Sequence, residues 1–209
     1  MIRSESALPQ ERKFTRMNPL DAIALALGAG FSSGLNIYAT VATLGFLERY
    51  GVIHLPASLH AISHPIVLGI AIALYLVEFF ADKIPYFDTI WDGIHTFIRP
   101  PAAAFLTYVA VGAVPTEWRW GAALLAGGVA LTSHGTKASA RAAVNASPEP
   151  FSNWFLSLGE DLLAVWLTWM ANAHPRTTVI VVLCLIVFSI ILLYYLFRFA
   201  RAAYRRLIA

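Results

Sequence analysis

The run from Thr178 to Phe197 constrains this chain more than any other feature, because its 20 residues have Ser189 as almost their sole polar interruption. At about 1.5 Å per residue such a helix reaches roughly 30 Å, the thickness of a bilayer's hydrocarbon core. The run predicts a transmembrane helix, and the rest of the chain agrees with it. Of 209 residues 58% are hydrophobic and 13% charged, with a mean hydropathy of +0.66. A soluble domain carries about 25% charged residues, so this chain is short of what a water-facing surface needs. The expectation is an all-α, polytopic integral membrane protein with no soluble domain.

Six apolar blocks follow one another, at about 19–47, 64–84, 101–114, 119–140, 152–173 and 177–198. Arg12, Lys13 and Arg16 precede the first, and Arg198, Arg201, Arg205 and Arg206 follow the last. Lys and Arg concentrate on the cytoplasmic side of membranes, which predicts both ends inside and an even number of crossings, for which six fits. The chain then divides into a polar tail at 1–17, one transmembrane domain at 18–200 and a basic tail at 201–209. Trp118, Trp120, Trp154, Tyr194 and Tyr195 stand near block ends, as residues of the interfacial aromatic belts do. Met1 to Asn18 lacks the short apolar core and cleavage site of a signal peptide, so it is expected to stay on the protein. A single cysteine, Cys184, leaves no partner for an intrachain disulfide. Asn145-Ala146-Ser147 matches a glycosylation sequon, a pattern too short to carry weight. The net charge of +3 sits mostly at the two ends and reads as membrane orientation, with no nucleic acid implied.

Several blocks are not plain spans. The first holds Gly28-Ala29-Gly30-Phe31-Ser32-Ser33-Gly34, small residues that let a helix unwind or admit a neighbouring backbone. The third is only about 14 residues long before Pro115. Broken or re-entrant segments are expected there, and irregular backbone at membrane depth survives only where protein or a wet cavity surrounds it. Gly128, by contrast, is expected to serve close helix packing.

Polar residues fall into stripes. Asp88, Asp92, His95 and Arg99 are spaced i, i+4, i+7 and i+11, opposite Phe87, Ile90, Ile94, Phe97 and Ile98, which describes an amphipathic helix with an ionisable face. That helix is expected to end at Arg99-Pro100-Pro101, and it either enters the membrane or lies flat on its surface. His134, Lys137, Arg141 and Asn145, at i, i+3, i+7 and i+11, form a second stripe, basic where the first is acidic. The two would either neutralise each other as an ion-paired clasp or grip an ionic substrate. Ser33, Asn36, Thr40 and Thr43 form a third, and superposing Gly34 on Gly135 lays Ser33 on His134, Asn36 on Lys137 and Thr40 on Arg141. Leu76-Val77-Glu78 and Leu158-Gly159-Glu160 extend that correspondence. Two inverted three-helix repeats follow, at about 18–114 and 119–200, since three crossings per copy is an odd number.

A carboxylate in an apolar context costs several kcal/mol unless paired, protonated or bound to a cation. Glu78, Asp82, Glu160 and Asp161 are therefore candidate coupling carboxylates, Glu160 first among them, although Asp82-Lys83-Ile84-Pro85 would also suit a helix end in the headgroups.

Four segments carry a resemblance: Ser33-Gly34-Leu35-Asn36-Ile37-Tyr38-Ala39-Thr40, Glu78-Phe79-Phe80-Ala81-Asp82-Lys83-Ile84-Pro85, His95-Thr96-Phe97-Ile98-Arg99-Pro100-Pro101, and Ala143 through Asn153. In this order they resemble the signature blocks of a bacterial membrane family known as domain of unknown function 4126, from about Asn18 to beyond His174. The first 16 residues depart from it, similar proteins tending to begin near Met17-Asn18-Pro19. The resemblance implies a bacterial inner-membrane protein and supplies no activity.

No His-Glu-x-x-His, Gly-x-Ser-x-Gly or phosphate-binding Gly-Lys-Ser/Thr motif is present. His54, His60 and His64 share a loop better read as solvated than as a metal site. The expected function is that of a small secondary transporter or channel-like carrier for an ion, a small charged metabolite or a lipid headgroup, with no cofactor. Its substrate would lie among Ser33, Asn36, Asp88, Asp92, His95, Arg99, His134, Lys137, Arg141 and Asn145. A lipid flippase, a membrane-embedded lipid-modifying enzyme and a membrane assembly factor are the alternatives, and a homo-oligomer is compatible with any of them.

Overall fold

The computed structural model describes residues 18–146 and 150–208, so the polar tail expected at 1–17 lies outside the described residues. Six α-helices follow in order: α1 (Pro19–Arg49), α2 (Pro65–Ala81), α3 (Phe87–Ala110), α4 (Thr116–Asn145), α5 (Pro150–Ala173) and α6 (Pro175–Ile208). A short 3-10 helix, Ala57–Ser63, precedes α2, and no strand occurs among the described residues. Proline starts α1, α2, α5 and α6, where its missing N–H costs nothing and its fixed φ suits the first turn. At α1 the Asn18 side chain accepts from Leu20 N–H at 3.1 Å, and at α2 the His64 Nδ1 accepts from Ile66 N–H at 3.3 Å. The segment 201–209, expected as a tail, is helical through Ile208 as the end of α6.

α1 and the Pro175–Ala202 part of α6 are long and apolar enough to cross a membrane, and Ala57–Ser63 with α2, bent by 63° at their junction, make a third if they form one broken span. The chain is therefore membrane-associated. The two clear candidates play opposite parts: 89% of the apolar window of α1 is buried inside the protein and 11% of that of α6. α1 is the axis of the bundle and packs on all five other α-helices, while α6 lies on the periphery with Ile180, Val187, Phe188 and Phe197 exposed.

Glycine makes the central position of α1 attainable. A Cβ on Gly30 would meet the Ala126 carbonyl oxygen at 2.8 Å, and one on Gly34 would run into the Ala130 carbonyl and the Ser133 hydroxyl, so these two glycines let the α1 and α4 backbones approach. Gly28 does the same toward Ala171 of α5, whose Cβ a new Cβ would meet at 2.6 Å. Gly128 has nothing within 4 Å of such a Cβ, so the packing role expected for it is incorrect. It faces away from every neighbour, and it is Gly127 that faces α3, where an added Cβ would meet the Pro100 carbonyl oxygen at 3.3 Å.

Two further expectations are corrected by α3. The helix does not end at Arg99: Pro100 and Pro101 lie inside one continuous helix of 24 residues, and the apolar block expected as a separate short segment is its second half. Close packing of α4 against the Pro100 backbone, through Gly127, holds the helix where two donors are missing. The outward face of α3 is apolar, with Phe97 81% and Phe105 70% exposed, while Asp88, Asp92, His95 and Arg99 are buried within 2% of complete. The charges of α3 thus point inward and its aromatics outward.

Candidate functional site

The site forms where α1 breaks. Asn36 sits in the middle of that helix with φ −155° and ψ 103°, extended backbone that divides α1 in two. Its own side chain caps the second half, Oδ1 accepting from Ala39 N–H at 2.9 Å, in the manner of an N-cap residue and the third residue beyond it. Its Nδ2 donates to Asp161 Oδ1 at 2.9 Å. The first half ends with carbonyls that have lost their helical partners. Arg99 donates to the Gly34 carbonyl at 2.9 Å and Lys137 to the Leu35 carbonyl at 3.0 Å, so two cations cap the negative end of a half-helix. The break expected near the glycine cluster thus falls two residues beyond Gly34, and two predicted site residues satisfy it.

Around those cations the acidic groups of three helices, α2, α3 and α5, converge. The Lys137 ammonium meets Asp82 at 2.9 Å and Glu78 at 3.2 Å from the end of α2, and Glu160 of α5 at 3.6 Å. Arg99 donates to Glu78 at 2.7 Å and stands 3.6 Å from Asp92. Arg141 bonds Asp82 at 2.9 Å and Glu160 at 2.5 Å, with Asp88 and Asp92 each at 4.0 Å. Asn145 donates to both oxygens of Asp88, at 2.8 and 3.0 Å. Asp82 is fully buried and closes the C-terminal end of α2. Glu160, with 12% of its side chain exposed, marks the edge of the network, and Glu78 its interior.

Both histidines serve this framework. His134 Nδ1 faces the Arg99 guanidinium at 2.8 Å, and since a guanidinium only donates, that nitrogen accepts and the ring is neutral, its Nε2–H turned to the Asp92 carbonyl at 3.0 Å. His95 Nδ1 donates to the Trp91 carbonyl at 2.8 Å, leaving Nε2 to the Tyr38 hydroxyl at 3.1 Å.

Of the ten residues predicted to hold substrate, nine take part in these contacts and Ser33 does not, its buried hydroxyl having no hydrogen-bond partner; from the third stripe the Thr40 hydroxyl donates to the Asn36 carbonyl at 2.9 Å. Sequence reasoning missed Tyr75, which donates to Asp161 at 3.3 Å, and Lys83, which donates to Ser157 at 3.2 Å and lies over the Phe79 ring. Tyr75, Glu78 and Asp82 share the i, i+3, i+7 spacing, a signal that was available. Asn153, which donates to Asn145 at 2.7 Å and helps hold Asp88, had none.

Among the described residues no group of three or more His, Cys, Asp or Glu is arranged to hold a metal ion. The loop histidines make local contacts, His60 with Glu48 at 3.3 Å and with the Leu55 carbonyl at 2.9 Å. The sequon asparagine is engaged with Asp88. An apolar groove of about 960 Å³ between Pro19, Ile23, Val114, Trp118 and Leu125 includes none of the charged cluster, which is closed by protein.

No curated protein and no solved structure matches this chain. The model of a family described as domain of unknown function (DUF4126) matches residues 23–195, nearly the whole described bundle, and the chain belongs to that family.

Proposed function

We propose that the chain is a small secondary carrier of the inner membrane of a bacterium, moving an ion or a small charged solute coupled to protons. In this reading all six α-helices cross the bilayer, with both termini cytoplasmic, and α3, α4 and α5 do so although their charge lowers their hydropathy. The helices count as two inverted sets of three, α1 to α3 and α4 to α6. In support, superposing Gly34 of α1 on Gly135 of α4 in sequence lays Ser33, Asn36 and Thr40 on His134, Lys137 and Arg141, and Glu78 and Glu160 both lie in the second helix of their sets. The copies differ in that α4 runs unbroken from Thr116 to Asn145 where α1 is interrupted at Asn36.

The observation that carries the reading is the interrupted α1 with charge gathered at its break. The Lys137 ammonium is surrounded by the Leu35 carbonyl, Glu78 and Asp82 at 2.9 to 3.2 Å, with Glu160 beyond at 3.6 Å. A half-helix carbonyl end with carboxylates is how carriers hold a cation at membrane depth. Here a tethered cation fills the position, so substrate would enter by competing with Lys137 or Arg141 for carboxylates, or with Asp82 and Glu160 for cations.

The test is the thermal stability of the purified protein in detergent across a panel of ions, zwitterionic metabolites and lipid headgroups. A ligand at 100 times its dissociation constant adds about 2.7 kcal/mol, a shift of several degrees in a chain of this size. A compound that stabilises the wild type and not Glu160→Gln names the substrate class. A second reading, an assembly factor whose network is only a clasp, draws on the closure of the cluster and is favoured if nothing on the panel binds.

A further inference from the structure

Six carboxylates share the buried network: Glu78 and Asp82 from α2, Asp88 and Asp92 from α3, Glu160 and Asp161 from α5. Facing them are four cations, Lys83, Arg99, Lys137 and Arg141, while His134 is neutral by its hydrogen bonds and His95 and Tyr38 bond each other. Fully ionised, the cluster would hold two more negative charges than positive ones. One of these is offset by position: Asp88 lies in the first turn of α3, accepts the Thr89 N–H at 2.6 Å and receives Asn145, so a helix N-terminus and neutral donors stabilise its charge.

The other excess charge has an address. Five of the six carboxylates accept at least one hydrogen bond: Glu78 from Arg99 and Lys137, Asp82 from Lys137 and Arg141, Asp88 from Asn145, Glu160 from Arg141, Asp161 from Asn36 and Tyr75. Among the described residues Asp92 accepts none on either oxygen, and only 1% of it is exposed. Its nearest cationic nitrogens, on Arg99 at 3.6 Å and Arg141 at 4.0 Å, are beyond hydrogen-bonding reach. Two guanidiniums attract a charge there, but no hydrogen bond helps them offset its desolvation, and a proton removes that cost. Two other carboxylate oxygens of the cluster, Glu78 Oε2 and Asp82 Oδ1, are also buried without donors, but each of those carboxylates is hydrogen-bonded through its other oxygen.

We infer that Asp92 is the proton-binding site of this network, held as the neutral acid with the charged groups arranged around it. This rests on the carrier reading and changes one part of it: the coupling carboxyl is Asp92 on α3, in place of Glu78 and Glu160, each of which is hydrogen-bonded to an arginine. The step is simple protonation, in which one carboxylate oxygen of Asp92 forms an O–H bond with a proton from water and gives it back when the network opens.

The test is infrared spectroscopy of the purified full chain in lipid nanodiscs at neutral pH. The wild type is expected to show the carbonyl stretch of a protonated carboxylic acid, shifted in heavy water and shifted again when aspartates alone carry carbon-13. The band should vanish in Asp92→Asn, which is isosteric with the neutral acid, and persist in Asp88→Asn and Glu160→Gln. No such band in the wild type, or a band that answers to glutamate labelling instead, overturns the inference without recourse to any variant's folding. A vesicle assay with an internal pH-sensitive dye and a potassium–valinomycin potential then separates the two ideas. Proton uptake lost at least tenfold in Asp92→Asn supports both. The band lost in that variant, with no uptake in any protein, upholds the proton site and overturns the carrier. Uptake undiminished in Asp92→Asn leaves a carrier and removes Asp92 from it.

Discussion

Replacing Lys137 with methionine keeps most of the side-chain volume and removes a charge that, like Arg99, touches α1 and α2 at once. Three contacts disappear, to the Leu35 carbonyl at 3.0 Å, Asp82 at 2.9 Å and Glu78 at 3.2 Å. Glu78 keeps Arg99 and Asp82 keeps Arg141, but the Leu35 carbonyl at the break is left without a donor. Removing one partner of a buried ion pair costs about 3–5 kcal/mol, because the charge left behind is uncompensated. With roughly 2–4 °C of melting temperature per kcal/mol in a chain of this size, the loss is roughly 6–20 °C. Tryptophan fluorescence during heating in detergent measures it, with Glu117→Gln on the exposed start of α4 as the control expected to stay within about 0.5 kcal/mol. Adding Asp82→Asn completes a double-mutant cycle, and since the two groups touch, the double variant should lose less than the sum of the singles by about 1–3 kcal/mol. Strict additivity, or a Lys137→Met protein that melts with the control, would refute the claim that this ammonium holds the broken helix to α2.

Three other outcomes follow from the same geometry. Gly34→Ala should destabilise by more than about 2 kcal/mol by forcing α1 from α4, whereas Gly135→Ala, with open space around it, should be neutral or gain up to about 1 kcal/mol of helix propensity; equal melting temperatures for the two would contradict the close approach. Asn36→Ala loses the cap on the second half of α1 and the donor to Asp161, a cost of about 2–4 kcal/mol, and Asn36→Asp should fare no better because it sets two carboxylates together; thermal melts comparing both with Asn36→Ser, which keeps a capping oxygen, check this. In a Cys184→Ser background, a spin label at Phe97 should be relaxed by oxygen dissolved in lipid and not by a water-soluble nickel chelate, since that position is 81% exposed on the apolar face of α3; the reverse pattern would place this helix in water.

The sequence by itself determined the composition of every layer of this protein. Five of the six apolar blocks became helices bounded by proline or a loop and the third became the second half of α3, and the stripes Asp88 to Arg99 and His134 to Asn145 were legible as inward faces because i, i+3, i+4 and i+7 share one side of a helix whatever surrounds it. Local rules failed where a neighbour overrode them. Arg99-Pro100-Pro101 reads as a helix end, yet α4 packed on Pro100 carries the helix through it, and glycines at 127 and 128 are alike in sequence but only the first faces α3. Hydropathy leaves α3 and α4 outside the candidate spans, because these helices average their buried charges with their apolar faces. Which carboxylate meets which cation was beyond reach of the sequence: Glu78 and Lys137 are 59 positions apart, Asn36 and Asp161 are 125, and such pairs exist only once α1, α2, α4 and α5 are packed. The break at Asn36 is tertiary in the same sense. An asparagine can cap a half-helix from sequence alone, but the carbonyls freed in front of it are satisfied only by Arg99 and Lys137, delivered from two other helices.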